Sequence, residues 1–96
     1  MIVDMLTRTS MEIAGIFRAE AARQNRSQGW VGDAIGRHQT YAGDILNGKK
    51  SPGMDEYIKL CIAFGLDPVS VMEDARIRAQ RSTPEGDDPK GDANVG

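Results

Sequence analysis

The sequence predicts an all-α fold: a compact domain of five helices followed by an acidic tail. Three observations carry that expectation. Apolar residues recur at three- and four-residue spacing through most of residues 9–81, and no run of four or more residues alternates convincingly like a strand. The periodic stretches also break at Asn25, Gly36, Gly48 and Gly65, residue types that tolerate the left-handed backbone ending many helices.

The elements follow in order. Residues 1–8 are set aside as a short N-terminal arm, because Thr9-Ser10-Met11-Glu12 has the spacing of a capping box. The first helix then carries Ile13, Ile16, Phe17, Glu20 and Ala21 in a mainly apolar stripe to about Gln24. Ser27 caps a short second helix, Gln28 to Ile35, with Val31 and Ile35 on one face. A third, about Gln39 to Asn47, turns Ala42, Ile45 and Leu46 inward. The fourth runs from about Met54 to Phe64, with Met54, Tyr57, Ile58 and Cys61 at i, i+3, i+4 and i+7. Asp67 before Pro68 is a cap followed by a first-turn proline, opening a fifth helix to about Arg81 with Val71, Met72, Ala75 and Ala79 inward. Residues 82–96, with Pro84, Pro89, three glycines and almost nothing apolar, read as a flexible tail.

Composition bounds the function. A chain of 96 residues has room for one small domain, residues 9–81 here, and its core is adequate only if most helices contribute to it. A single cysteine, Cys61, excludes an intrachain disulfide and any multi-cysteine zinc site, and it reads as a small buried hydrophobe. Neither a basic leader nor a long apolar segment is evident, so a cytoplasmic protein with no membrane partner is expected. The net charge of −2 belongs to the ends: the tail carries −3 and the first seven residues −1, which leaves +2 on residues 8–81. With no glycine-rich phosphate loop, no histidine besides His38 and no metal-ligand set, neither an enzyme, a cofactor nor a metal is expected.

The second and third helices are joined by only about three residues. Such a joint needs positive φ at the turn, which Gly36 supplies, and a small residue where the helices cross, which Gly32 supplies. Val31, Ile35, Ala42 and Ile45 form the shared seam, and Gln39, Thr40, Gly43, Asp44 and Asn47 are left pointing away from it. This is the pattern of a helix-turn-helix.

At these residues the chain resembles the lambda-repressor and Cro type helix-turn-helix proteins, also called the xenobiotic-response-element family. The resemblance rests on "SQGWVGDAIG", "HQTYAGDILNGKKSPG" and "MDEYIKLCIAFGLDPVSVM", with Gln28, Gly32, Gly36, Ile45, Gly48, Pro52, Ala63 and Gly65 in family register from about Ile13 to Met72. "HQTYAGDILNG" also looks like small repressors of actinobacterial phages and prophages. The resemblance implies a lambda-repressor-like five-helix domain in a bacterial host, its third helix in the major groove of double-stranded DNA and a homodimer on an inverted-repeat operator.

Carried over by position, Gln28 donates to a phosphate and braces the third helix, while Gln39 and Thr40 reach base edges. Gly43 and Asp44 complete the reading face. Asp44 suits a cytosine amino group or, equally, an ion pair between helices. Asn47, Lys49 and Lys50 fall where flanking phosphates are gripped. The chain departs from the family pattern at Arg26 and Arg37, where apolar residues are usual, and at His38, where a Ser or Thr cap is usual. Arg37 is either an exposed charge on a tight turn or a phosphate contact, and His38 either a local cap or a phosphate contact. Arg26 either packs its stem and sends its head to a phosphate, or marks different local packing.

Tyr41 either touches the DNA or fills the rim of the core. Trp30 is expected to be partly buried against the first helix, its alternative being a contact surface. Val69 and Ile77 fall off the inward stripe of the fifth helix and form a candidate dimer surface, while Arg76, Arg78 and Arg81 read as a solvated face. The leading expectation is a small transcriptional repressor. Its alternative is a protein-interaction module, antitoxin-like or adaptor, working through Trp30, Ile77 or the tail.

Overall fold

The computed structural model describes residues 2–81, and the candidate tail 82–96 lies outside the described residues. Five helices follow one another: α1 (Ile2–Arg23), α2 (Gln28–Ile35), α3 (Gln39–Leu46), α4 (Met54–Phe64) and α5 (Pro68–Arg81). No strand occurs among the described residues, so the all-α class holds. The boundaries of α2, α4 and α5 match the sequence expectation, and α3 ends one residue earlier, with Asn47 as its C-cap.

Helix α1 corrects the expected N-terminal boundary. It runs unbroken from Ile2, so residues 2–8 form its first turns and Thr9-Ser10 sits inside the helix. A Ser or Thr cap contributes only about 1 kcal/mol. With no Gly or Pro before Gly15 to break the ladder, that preference does not stop the helix. The Ser10 hydroxyl instead lies 3.0 Å from that of Ser51, which links α1 to the loop between α3 and α4.

The core forms where α1 meets the other helices. Phe17 is fully buried, its ring 6.0 Å from those of both Tyr57 and Phe64, and Val31, Ala42, Ile45, Leu60 and Cys61 surround the same cluster. Helix α1 packs most extensively on α5, and α2 on α3. Met54, Ile58 and Met72 correct the expected core: all three are exposed, Met54 at 81%. In α4 the buried stripe is Tyr57, Leu60, Cys61 and Phe64, and in α5 it is Val71, Ala75 and Ala79. Apolar residues encircle much of α4, so periodicity alone does not choose its inward face. Contact with the aromatic side chain of Phe17 does.

Local chemistry sets the helix ends. Asn25 adopts φ 58° after α1, and Arg26 N–H donates to the Ala21 carbonyl at 2.8 Å. At the start of α5, Asp67 Oδ2 accepts from the backbone N–H of Ser70 at 2.8 Å and from its hydroxyl at 2.9 Å, which holds the Asp67 carboxyl below its usual range. The Tyr57 hydroxyl donates to the Pro68 carbonyl, and burial first of all pushes Tyr57 up to about 12, so it stays a neutral donor joining α4 to α5. Among the described residues no helix is long and apolar enough to cross a membrane, and no group of three or more His, Cys, Asp or Glu stands ready for a metal.

Candidate nucleic-acid interface

The pair α2–α3 is built around its turn. Ser27 accepts from Trp30 N–H at 3.1 Å and starts α2. Gly36 ends it at φ 69°, a backbone that costs other residues strain, with Arg37 N–H returning to the Gly32 carbonyl at 2.9 Å. Gly32 lies at the crossing, as the sequence requires. A Cβ there would come 2.6 Å from the Arg37 carbonyl oxygen and 3.3 Å from the Gln39 Cα.

His38 caps α3. Its Nδ1 accepts from Thr40 N–H at 3.1 Å, which satisfies one of the two functions left open for it and places the ring proton of the neutral form on Nε2. Gln39 and Thr40 in the first turn are exposed, as are Asn47, Lys49 and Lys50 at the far end. The far end is closed by backbone donors, Lys49 N–H at 2.8 Å and Lys50 N–H at 3.3 Å from the Asp44 carbonyl, so both lysines are anchored through the main chain while their side chains remain exposed. Asp44 is half-buried, and among the described residues no ion pair reaches it, which removes the interhelical alternative.

Gly43 corrects the expected reading face. It is buried, and a Cβ at this position would stand 2.9 Å from Gln28 Oε1. The Gln28 side chain lies across α3 at the one position where α3 has no side chain, which is the bracing contact expected of Gln28. Because that neighbour is the far end of a flexible side chain, Gly43→Ala is expected to leave stability within about 1 kcal/mol of the parent, the better helix propensity of alanine offsetting the displacement. Gln28 would lose its seat, so chemical denaturation should show little change while any DNA affinity falls.

Arg37 and Tyr41 are engaged within the chain. Arg37 Nη1 donates to Glu56 Oε2 at 3.0 Å, its guanidinium lies 3.7 Å from the centroid of the Tyr41 ring, and the Tyr41 hydroxyl donates to Glu56 Oε1 at 2.9 Å. Tyr41 thus takes the rim position, half-buried against the core, and the hydrogen bond to Glu56, with burial second, raises its pKa. Arg26 stacks over Trp30 at 4.4 Å, and Trp30 is half-buried against the core, its ring 5.3 Å from that of Phe64 of α4.

Two residues that support α3 escape a reading of the sequence. Arg18 of α1 donates from Nη1 to the Leu46 carbonyl at 3.0 Å and closes the C-terminus of α3 from 28 residues away. Glu56 reaches α3 from the first turn of α4. Its only sequence signal is its place three residues after the N-cap Gly53, whose N–H it accepts at 3.0 Å.

The candidate dimer surface is redrawn. Val69 is 76% exposed as expected, but Ile77 is half-buried. Val69 lines an open groove of 370 Å³ between α4 and α5 with Met54, Ile58 and Met72, flanked by the ion pair Glu73–Arg76 at 2.8 Å. Comparison of the chain with protein-family models, curated proteins and solved structures finds no match to any of them.

Proposed function

We propose that the protein is a sequence-specific, double-stranded DNA-binding regulator of the lambda-repressor and Cro type, most simply a small repressor that occupies an inverted-repeat operator as a dimer. The observation that carries this reading is the first turn of α3. Gln39 and Thr40 stand exposed on a short helix held at one end by the His38 cap, on its side by Gln28 and at the other end by Arg18. Glutamine and threonine suit adenine and thymine edges, and a rigid mount is what base reading demands. The Nε2–H of His38 at the start of α3, and Asn47, Lys49 and Lys50 at its far end, supply phosphate donors on either side of the read bases. A core charge of +2 neutralises few phosphates, so two half-sites are required for useful affinity. The apolar groove lined by Met54, Ile58, Val69 and Met72 is the surface on which a second copy would seat.

The test is selection of bound duplexes from a random-sequence pool at two salt concentrations. Enrichment of an inverted repeat, with binding weaker at high salt, is the expected result. On the selected site Gln39→Ala should cost about 1–3 kcal/mol, measured by fluorescence anisotropy. An equal loss on unrelated DNA would move the reading face elsewhere. If the folded protein selects no sequence and binding ignores salt, the same apolar groove favours the second reading, a protein-interaction module.

A further inference from the structure

Three donors from three places in the chain converge on one carboxylate. Glu56 Oε1 accepts from Gly53 N–H at 3.0 Å and from the Tyr41 hydroxyl at 2.9 Å, and Oε2 accepts from Arg37 at 3.0 Å. Lys50 adds a second cation, its Nζ 5.4 Å from the centroid of the Tyr41 ring over which Arg37 lies. A backbone N–H, a phenol and a guanidinium are the donor set of an anion site, and the anion present is the chain's own. The Glu56 side chain is 14% exposed and that of Arg37 47%, so the carboxylate forms the floor of the cluster and the guanidinium its solvent-facing lip.

We infer that Glu56 is an internal competitor for a DNA phosphate: it holds Arg37 in an intramolecular ion pair that must be exchanged before Arg37 can engage the backbone, and it thereby sets DNA affinity without touching a base. This inference rests on the reading of α3 as a DNA-facing helix. The exchange is feasible on three grounds. A half-exposed single-contact ion pair is weak. A phosphate offers guanidinium a bidentate, charge-assisted partner in its place. When Arg37 leaves, Glu56 Oε1 keeps both Gly53 N–H and the Tyr41 hydroxyl, and Oε2 is the one acceptor that must turn to water in exchange. The Gly53 N–H, before any other contact, also holds the Glu56 carboxyl below its usual range, which keeps the competitor charged at neutral pH.

The experiment is a double-mutant cycle on the full chain, read as affinity for a selected duplex across a salt series. Glu56→Gln keeps an acceptor for Gly53 and Tyr41 and removes the charge. It is expected to tighten binding about three- to fivefold at low salt and to steepen the log–log salt dependence by about one unit as Arg37 gains a phosphate. Arg37→Ala alone should change wild-type affinity less than about twofold, because the guanidinium is already engaged. In the Arg37→Ala background the gain from Glu56→Gln should vanish. Unchanged or weaker binding by Glu56→Gln overturns the inference, as does a gain that survives without Arg37. Should Glu56→Gln fail to fold, Glu56→Asp, which withdraws the carboxylate by one methylene, must show a gain of the same sign or the inference falls. A wild-type protein with no salt-dependent duplex binding removes both this inference and the DNA reading, whereas wild-type binding with an inert Glu56→Gln removes this inference alone.

Discussion

Phe17→Ala is expected to lower the free energy of unfolding by about 3–5 kcal/mol. The Phe17 ring is fully buried between Tyr57 and Phe64, and it joins α1 to α4 at the point where α4 selects its inward face. Removing it takes away the transfer free energy of the ring and leaves a cavity bounded by helices whose backbones cannot close on it. A domain of this size commonly has a total stability of about 5–15 kcal/mol, so the variant should lose a large share of it. Urea unfolding followed by circular dichroism checks this, with a lower midpoint and an unchanged slope expected. Met11→Ala, at an exposed position on the same helix, should stay within about 0.5 kcal/mol of the parent. Similar values for the two variants would mean that the ring at position 17 is not the centre of the core.

Gly32→Ala is expected to destabilise by about 3 kcal/mol, the upper end of the usual overpacking range. In an exposed helix the same change would gain about 1 kcal/mol from propensity, so the sign is the informative outcome. The new Cβ would meet backbone on the other side of the turn, the Arg37 carbonyl oxygen at 2.6 Å and the Gln39 Cα at 3.3 Å. Neither can rotate away as a side chain would. Relief requires α3 to move off α2, which carries Gln39 and Thr40 with it. Denaturation should therefore show the loss of stability, and amide chemical shifts should change throughout residues 36–43. A stable variant with shifts confined to α2 would show that the turn has room to spare. The contrast with Gly43, one helix on, is that there the contact is the end of the Gln28 side chain.

The candidate interface was legible only where its signals are local. The turn at Gly36, the crossing at Gly32, the Ser27 cap and the exposure of Gln39 and Thr40 all follow from neighbours a few residues apart. Gly43 misled because a residue without a side chain has no facing preference in a periodicity argument; the long side chain of Gln28 fills the space above it. The sequence left Arg37 and Tyr41 with two readings each for a different reason. Their partner Glu56 lies 19 and 15 residues away, and nothing in the turn itself announces it.

By itself the sequence determined the helical class, the order of the five helices and nearly all their ends, because caps, left-handed terminators and the Asp67-Pro68 start act through hydrogen bonds within one turn. It did not determine where α1 begins, since a local cap preference is small beside the continuation of an unbroken ladder. Only the tertiary structure decided which face of α4 is inward, leaving Met54 and Ile58 with Val69 and Met72 around an open groove. It alone decided, too, which polar side chains of α3 remain available. Burial and long-range hydrogen bonds depend on which surfaces meet, and a chain whose helices are apolar on more than one side permits several such meetings until packing selects one.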